Sequence, residues 1–261
     1  MAKGQETTLR PPAPAAQELK GVGWGIDDHR TIIELIVAGI LAVVVGVLIS
    51  GYTTSSNPAV AELGLLVGPA VGGLILVVAA ALFWSSRLGK VREMDEVLAN
   101  IPFGGDEVVL DIGCGRGLGM VKVAGKLRSG ISVGIDTWQK SHLSGTSPKA
   151  ALANASALKV SGRVSAVKGV STQLPIVSAT IDVVVSGVAI HRVPRKDRHS
   201  LFSEMKRVLK EGGRVGILDA GNGNEYSNLL KENGFADISA HRLRFSGFPP
   251  FHIVMARKPY G

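Results

Sequence analysis

The sequence is poor in several things, and each absence narrows what the chain can be. It has one cysteine, Cys114, so no disulfide can close within it, which fits a reducing compartment. Aromatic residues are only 5% of the 261, and no dense basic tract is interleaved with them, so the formal charge of +8 does not point to nucleic acid. That charge is unevenly placed. From Ser85 onward there are 25 Lys and Arg against 15 Asp and Glu, whereas the residues before it total −2. A basic second part suits attraction to an anionic membrane surface, and equally a plain solvated face. No His, Cys or carboxylate group has the spacing of metal ligands, so no metal is expected. Lys and Arg are also missing from residues 50–62, which separate two long apolar stretches.

Those stretches, residues 32–49 and 63–84, are each close to the roughly 20 residues that cross a bilayer as helix. Arg30 precedes the pair, and Arg87, Lys90 and Arg92 follow it. By the positive-inside rule both ends face the cytoplasm and the short loop lies outside. The expected organisation is a polar, disordered tail over residues 1–30, two transmembrane helices over 31–84 and a cytoplasmic domain over 85–261, which makes an integral, multi-pass membrane protein. Gly64, Gly68 and Gly72 recur at every fourth position. Such a face suits close helix contact, including a homo-oligomer, and equally the ordinary composition of membrane helices. Glu34 and Glu62 lie near the starts of the stretches and no other ionisable group is inside them, so an anchor is expected rather than an ion path.

From residue 85 the pattern changes. Residues 85–101 read as an amphipathic helix with Val91, Met94, Val97, Leu98 and Ile101 on one face and Pro102 closing it. Strands are then expected at 108–111, 131–136, 164–168, 181–186 and 214–219. Helices fall between them, one opening at Ser147-Pro148 and one covering 195–210 that stops at Gly212-Gly213. Two last strands, 238–245 and 252–258, have no helix between them and so should pair antiparallel. The class is α/β, a mostly parallel sheet with a C-terminal antiparallel hairpin, preceded by a transmembrane helical hairpin.

The chemistry gathers at residues 108–119, Val-Val-Leu-Asp-Ile-Gly-Cys-Gly-Arg-Gly-Leu-Gly. An apolar strand, an acid at its end and glycines at alternate positions make a loop that can approach a ligand closely. The dinucleotide pattern G-x-G-x-x-G is not met, because position 118 is Leu. A second acid, Asp136, ends the next apolar segment, where a carboxylate would accept from ribose hydroxyls. The segment resembles the first motif of the class I S-adenosylmethionine-dependent methyltransferases. Leu174-Pro175, residues 181–186 (Ile-Asp-Val-Val-Val-Ser) and residues 207–215 (Arg-Val-Leu-Lys-Glu-Gly-Gly-Arg-Val) extend that resemblance over nearly all of 108–259.

The resemblance implies a Rossmann-like seven-stranded sheet, S-adenosylmethionine as cofactor and a small methyl acceptor; the anchor beside it suits a lipophilic one. Gly113, Cys114, Gly115 and Gly117 would form the loop against the methionine and ribose parts. Asp111 would face the methionine amino group and Asp136 the ribose diol. Trp138 or Thr137 would cover the adenine. The family often places an acid after the third strand; here Gly169-Val170-Ser171 stands instead, so backbone groups near Val170 or the hydroxyls of Ser171 and Thr172 would take over. Ser186 closes the fourth-strand motif. His191, just past it, is the candidate general base, with a capping role as its bland rival. His142 is a weaker candidate on a lid and Asp219 a weaker one at the fifth strand. Cys114 reads as a small side chain under the loop rather than a nucleophile. Two other readings stand beside this one: a membrane-tethered binder of S-adenosylmethionine without turnover, and an NAD(P)-dependent oxidoreductase. The latter lacks both the glycine spacing and a Tyr-x-x-x-Lys pair, since Leu230 follows Tyr226 at the fourth position.

Overall fold

The computed structural model describes residues 22–139, 143–221, 223–242 and 249–261. Most of the expected tail, and His142, lie outside the described residues.

In chain order the elements are α1 (His29–Thr53), α2 (Pro58–Trp84), α3 (Lys90–Ala99), β1 (Val108–Ile112), α4 (Leu118–Ala124), β2 (Ile131–Asp136), α5 (Pro148–Ala157), β3 (Val164–Lys168), β4 (Ile181–Gly187), α6 (Arg195–Val208), β5 (Leu209–Asp219), α7 (Gly223–Glu232), β6 (Ala236–Arg242) and β7 (His252–Arg257). The seven strands form one sheet in the order β3-β2-β1-β4-β5-β7-β6. The first five run parallel, while β7 is antiparallel to both β5 and β6. The order turns back at β1 and β4, so the crevice for a ligand opens beyond the carboxyl ends of these two strands.

Period-two alternation splits the core between the faces of the sheet. Val109, Val183 and Val185 point toward Met94, Val97 and Leu98 on the apolar face of α3 and toward Ile101 just past its end. Leu110, Ile112 and Val184 point the other way, against Leu201, Phe202, Met205 and Val208 of α6. A third cluster joins Met120, Val121 and Ala124 of α4 to Ala151 and Ala155 of α5. Ser147 caps α5 by accepting from the Ala150 amide at 3.1 Å. The capping oxygen satisfies one of the amides that a helix start leaves unpaired.

The structure departs from the sequence expectations at three places. First, α2 ends with the apolar stretch at Trp84, but the helical path does not break there. One π turn (Ser85–Gly89) carries it into α3, so the second apolar helix is continuous with the sheet's covering layer. Second, Gly212-Gly213 does not stop α6. The helix ends at Val208 and the chain is extended from Leu209 on; Gly212, at φ +73, sits inside β5 where its pairing with β4 shifts register. A bulge tolerates that backbone angle only with glycine.

Third, the glycine face of α2 is used within the chain. An added Cβ on Gly68 would lie 2.6 Å from the Gly46 Cα, and one on Gly64 would lie 2.9 Å from the Gly46 carbonyl. Gly72 meets Gly39 in the same manner. This close backbone contact is what small-xxx-small faces provide, and here α1 of the same chain makes it. The outer faces are apolar. Leu41, Leu48, Leu66, Leu74 and Val77 are all exposed, and both helices are long and apolar enough to cross a membrane.

Candidate active site

The strand–loop junction after β1 is held by its own backbone. The Gly113 and Cys114 amides both donate to the Ile135 carbonyl, at 2.8 and 3.2 Å. Gly113, Gly115 and Gly117 have φ of +73, +53 and +83, which side-chain-bearing residues rarely adopt. Asp111 lies beneath this loop, buried, with its Oδ2 accepting from the Met120 amide at 2.7 Å. Gly119 must be glycine for that approach, since a Cβ there would lie 2.8 Å from the same oxygen. Burial pushes the Asp111 carboxyl up to about 7, against the pull of the Met120 N–H and with added repulsion from Asp136. Among the described residues, Asp111 borders neither of the two lobes of the cleft above it and acts on the loop from below.

Asp136 ends β2 and clasps the loop from the side. Its Oδ2 accepts from the Gly115 amide at 2.9 Å and its Oδ1 from the Trp138 amide at 2.6 Å. The Trp138 indole N–H completes the ring by donating to the Gly115 carbonyl at 2.9 Å. Trp138 is thus committed to the loop, while Thr137 faces the cleft. A carboxylate offers about four lone-pair sites, so two N–H donors leave Asp136 able to accept from a diol.

The cleft has two lobes of about 90 and 280 Å³ that share Gly113, Asp136, Thr137, Gln139, Ala189 and Arg192. Val170, Ser171 and Thr172 border the larger one with Ile135 and Leu201. The smaller one lies against Cys114, Gly115, Arg116 and Lys90. Cys114 is buried, and burial pushes its thiol well up, which removes it as a nucleophile at neutral pH. Ser186 is fully buried and donates to the Ile112 carbonyl at 2.8 Å, tying β4 to β1 beneath the cleft.

His191 follows β4 in a short turn between Ile190 and Arg192, which both border the larger lobe; its own ring lines neither lobe. The ring Nδ1 is 2.9 Å from Asp219 Oδ1. Asp219 also accepts from the amides of Ile190 and Gly221 at 2.8 and 2.7 Å and from the Tyr226 hydroxyl at 3.2 Å. Burial would raise its carboxyl, but the His191 ring and these N–H donors outweigh that and hold it below the usual range. An ionised Asp219 only accepts, so the proton belongs on Nδ1 and Nε2 is left as a base.

The sequence reading missed the cations of the smaller lobe. Lys90, Arg116 and Arg192 line it together with Asp27 and Trp24 from the segment before α1. Lys90 looked like one more positive flank of the second span, yet it is 4% exposed and ion-paired to Asp27 at 2.7 Å. The available signal was the pair Asp27-Asp28 directly before an apolar run, but only folding reveals that it meets residues 63 and 165 positions away. Among the described residues no group of three or more metal-ligating side chains occurs.

A cleft at the switch of a parallel sheet, a glycine loop braced by two strand-end carboxylates and a third strand-end acid on a histidine define an S-adenosylmethionine-binding α/β fold. The comparisons agree. Residues 109–213 match the family model described as a methyltransferase domain. Solved structures with this fold include a [4+2]-cyclase, SpnF, at 18% identity and TM-score 0.55, covering 66% of this chain and 82% of that one. An S-adenosylmethionine-dependent methyltransferase from Aquifex aeolicus matches at 17% identity and TM-score 0.52, over 64% of this chain and 90% of that one. Geranyl diphosphate C-methyltransferase from Streptomyces coelicolor A3(2), in complex with Mg2+, geranyl diphosphate and S-adenosyl-L-homocysteine, matches at 15% identity and TM-score 0.53, over 69% and 82%. At such identities the structures show the fold alone. With the matched domain, the enzyme class is S-adenosylmethionine-dependent methyltransferase and the cofactor is S-adenosylmethionine.

Proposed function

We propose that this chain is a membrane-anchored methyltransferase that moves a methyl group from S-adenosylmethionine to a small lipophilic acceptor, with its catalytic domain on the cytoplasmic side. One observation carries the anchoring and the acceptor together: both ends of the apolar hairpin come to the rim of the cleft. Asp27, just before α1, donates its amide to Ser86 Oγ, just after α2, at 2.6 Å. Asp27 and Lys90 then line the smaller lobe. An acceptor dissolved in the bilayer would therefore reach the cleft without crossing water, and confinement would raise its local concentration.

The donor supplies an electrophilic methyl group on a sulfonium. The chain's own part is to align and to dehydrate. Asp136 would take the ribose hydroxyls, and the glycine loop would lie against the sugar and amino-acid end without a Cβ in the way. Ile135, Val170 and Leu201 would give the base an apolar bed, with Ser171 and Thr172 replacing the family's acid at its edge. His191, whose ring is 26% exposed just outside the larger lobe, would accept a proton at Nε2 from the hydroxyl, amine or carbon acid of an acceptor that reaches past Ile190 and Arg192, while Asp219 holds the ring and balances its charge. Exposed Arg87 and Arg92 beyond α2 suit the cytoplasmic leaflet.

The test compares methyl transfer by the full chain in nanodiscs to water-soluble and bilayer-borne acceptors. Faster turnover of the bilayer-borne set is expected, and equal rates on both would remove the case for a lipophilic acceptor. Protease protection in oriented vesicles, with residues 85–261 expected on the cytoplasmic side, checks the topology.

A further inference from the structure

Residues 22–28 form a strap across the smaller lobe. Gly23 exchanges two hydrogen bonds with the Asn154 side chain, both of 3.1 Å. Ile26 donates to Ser144 Oγ at 2.8 Å and accepts from the Ser144 amide at 3.1 Å. Gly25, at φ +76, lets the strap turn inward, because a Cβ there would lie 2.8 Å from both Leu143 and the Ser144 carbonyl.

The turn delivers one carboxylate. Asp27 Oδ2 meets Lys90 Nζ at 2.7 Å and Oδ1 meets Arg192 at 3.0 Å, so cations from two separate elements hold one anion. Lys90 is 4% exposed, and an ammonium so buried is stable only beside negative charge. Asp27 does not exhaust the site. Arg116 lines the same lobe, and the buried Nε atoms of Arg116 and Arg192 have no hydrogen-bond partner among the described residues. Nor has Oγ1 of Thr146, a lobe-lining residue only 6% exposed. Three cations and an unpaired hydroxyl around one carboxylate exceed what that carboxylate requires. A group with two or three charged oxygens is what such donors recognise.

We infer that Lys90, Arg192 and Thr146 form an anion subsite at the end of the donor cleft, which the strap fills with its own Asp27 and which a carboxylate or phosphate on a bound small molecule takes over when the strap lifts. The inference rests on the methyl-donor reading of the cleft. Two molecules present such a group, the donor through its amino-acid end and an anionic acceptor, and the strap competes with either.

The experiment uses the full chain in phosphatidylcholine nanodiscs and titrates S-adenosylhomocysteine, 5′-methylthioadenosine, which lacks the amino-acid end, and inorganic phosphate. Asp27→Asn keeps the strap's shape but leaves the cations without their carboxylate. If the donor is the occupant, the variant binds S-adenosylhomocysteine at least about fivefold tighter and methylthioadenosine unchanged, which at 1.4 kcal/mol per tenfold is about 1 kcal/mol. If an anionic acceptor is the occupant, S-adenosylhomocysteine is unchanged and inorganic phosphate binds at least about fivefold tighter. Gly25→Val, which unseats the strap by collision, should give the same sign, and Arg192→Gln the opposite one. A strap that serves only as packing would weaken binding in all three variants. That result, or no change in any ligand, overturns the inference. Absence of S-adenosylhomocysteine binding to the unaltered chain would instead sink the donor reading, and the phosphate titration would still decide the subsite.

Discussion

The imidazole of His191 and the carboxylate of Asp219 meet at 2.9 Å across the ends of two adjacent strands, β4 and β5. In the proposed mechanism the pair acts as a base and its orienter. Asp219→Asn would remove the charge that fixes the tautomer, and His191→Gln would remove the base itself. Each is expected to lower kcat by about 10²- to 10⁴-fold on an acceptor that must lose a proton. Because the two act as a unit, the double variant should be little worse than either single one. Steady-state rates with calorimetry of S-adenosylhomocysteine check this: unchanged affinity with lost turnover is expected, and full turnover in His191→Gln would dismiss the base.

Asp136 braces the glycine loop and faces the cleft at once. Asp136→Ala should weaken S-adenosylhomocysteine by at least about tenfold, since a charge-assisted pair of hydrogen bonds is lost together with the loop's brace. Calorimetry reads the change directly. An affinity within twofold of the unaltered chain would remove Asp136 from the donor site.

The buried Asp111 carboxyl gives a pH signature. Its pKa in the folded chain, about 7, exceeds the ordinary value of 3.8, so the native state holds a proton that the unfolded chain has lost. Stability should therefore fall as pH rises from about 4 to about 7, by an amount on the order of 4 kcal/mol in all. Asp111→Asn keeps an acceptor for the Met120 amide but carries no charge, so its melting temperature should not fall with pH in that window. Thermal denaturation in detergent at pH 5 and pH 8 compares them, and parallel curves for the two proteins would refute the assignment.

Gly46 and Gly68 touch backbone to backbone within the apolar hairpin. Gly68→Leu should split that contact at a cost of about 1–3 kcal/mol, as overpacking does. Lower thermal persistence of the helical signal in detergent is expected, with S-adenosylhomocysteine affinity kept. A variant as stable as the unaltered chain would mean that the helices meet elsewhere.

Most elements were readable because their signals are local. Period-two apolar runs placed β2 and β3 at their observed bounds, and Ser147-Pro148 announced the start of α5. The misreadings share a cause. Gly212-Gly213 stops a helix if only its neighbours count, but strand pairing with β4 absorbs the same residues into β5. In the site, the glycine loop and Asp136 could be named because they sit in one short segment. Trp138 could not be placed, since its indole answers to a carbonyl 23 residues away.

The order of residues alone determined the strand–helix alternation, the two apolar helices and the acid-flanked glycine loop, for these follow from which side chains shun water and which backbone angles glycine allows. Only the tertiary structure decided that α2 runs on into the sheet's covering layer, that the small residues face each other inside one hairpin, and that Asp27, Lys90 and Arg192 converge. The reason is physical. Burial of a charge is tolerated only where a partner arrives from elsewhere in the chain, and distance along the sequence carries no record of that arrival.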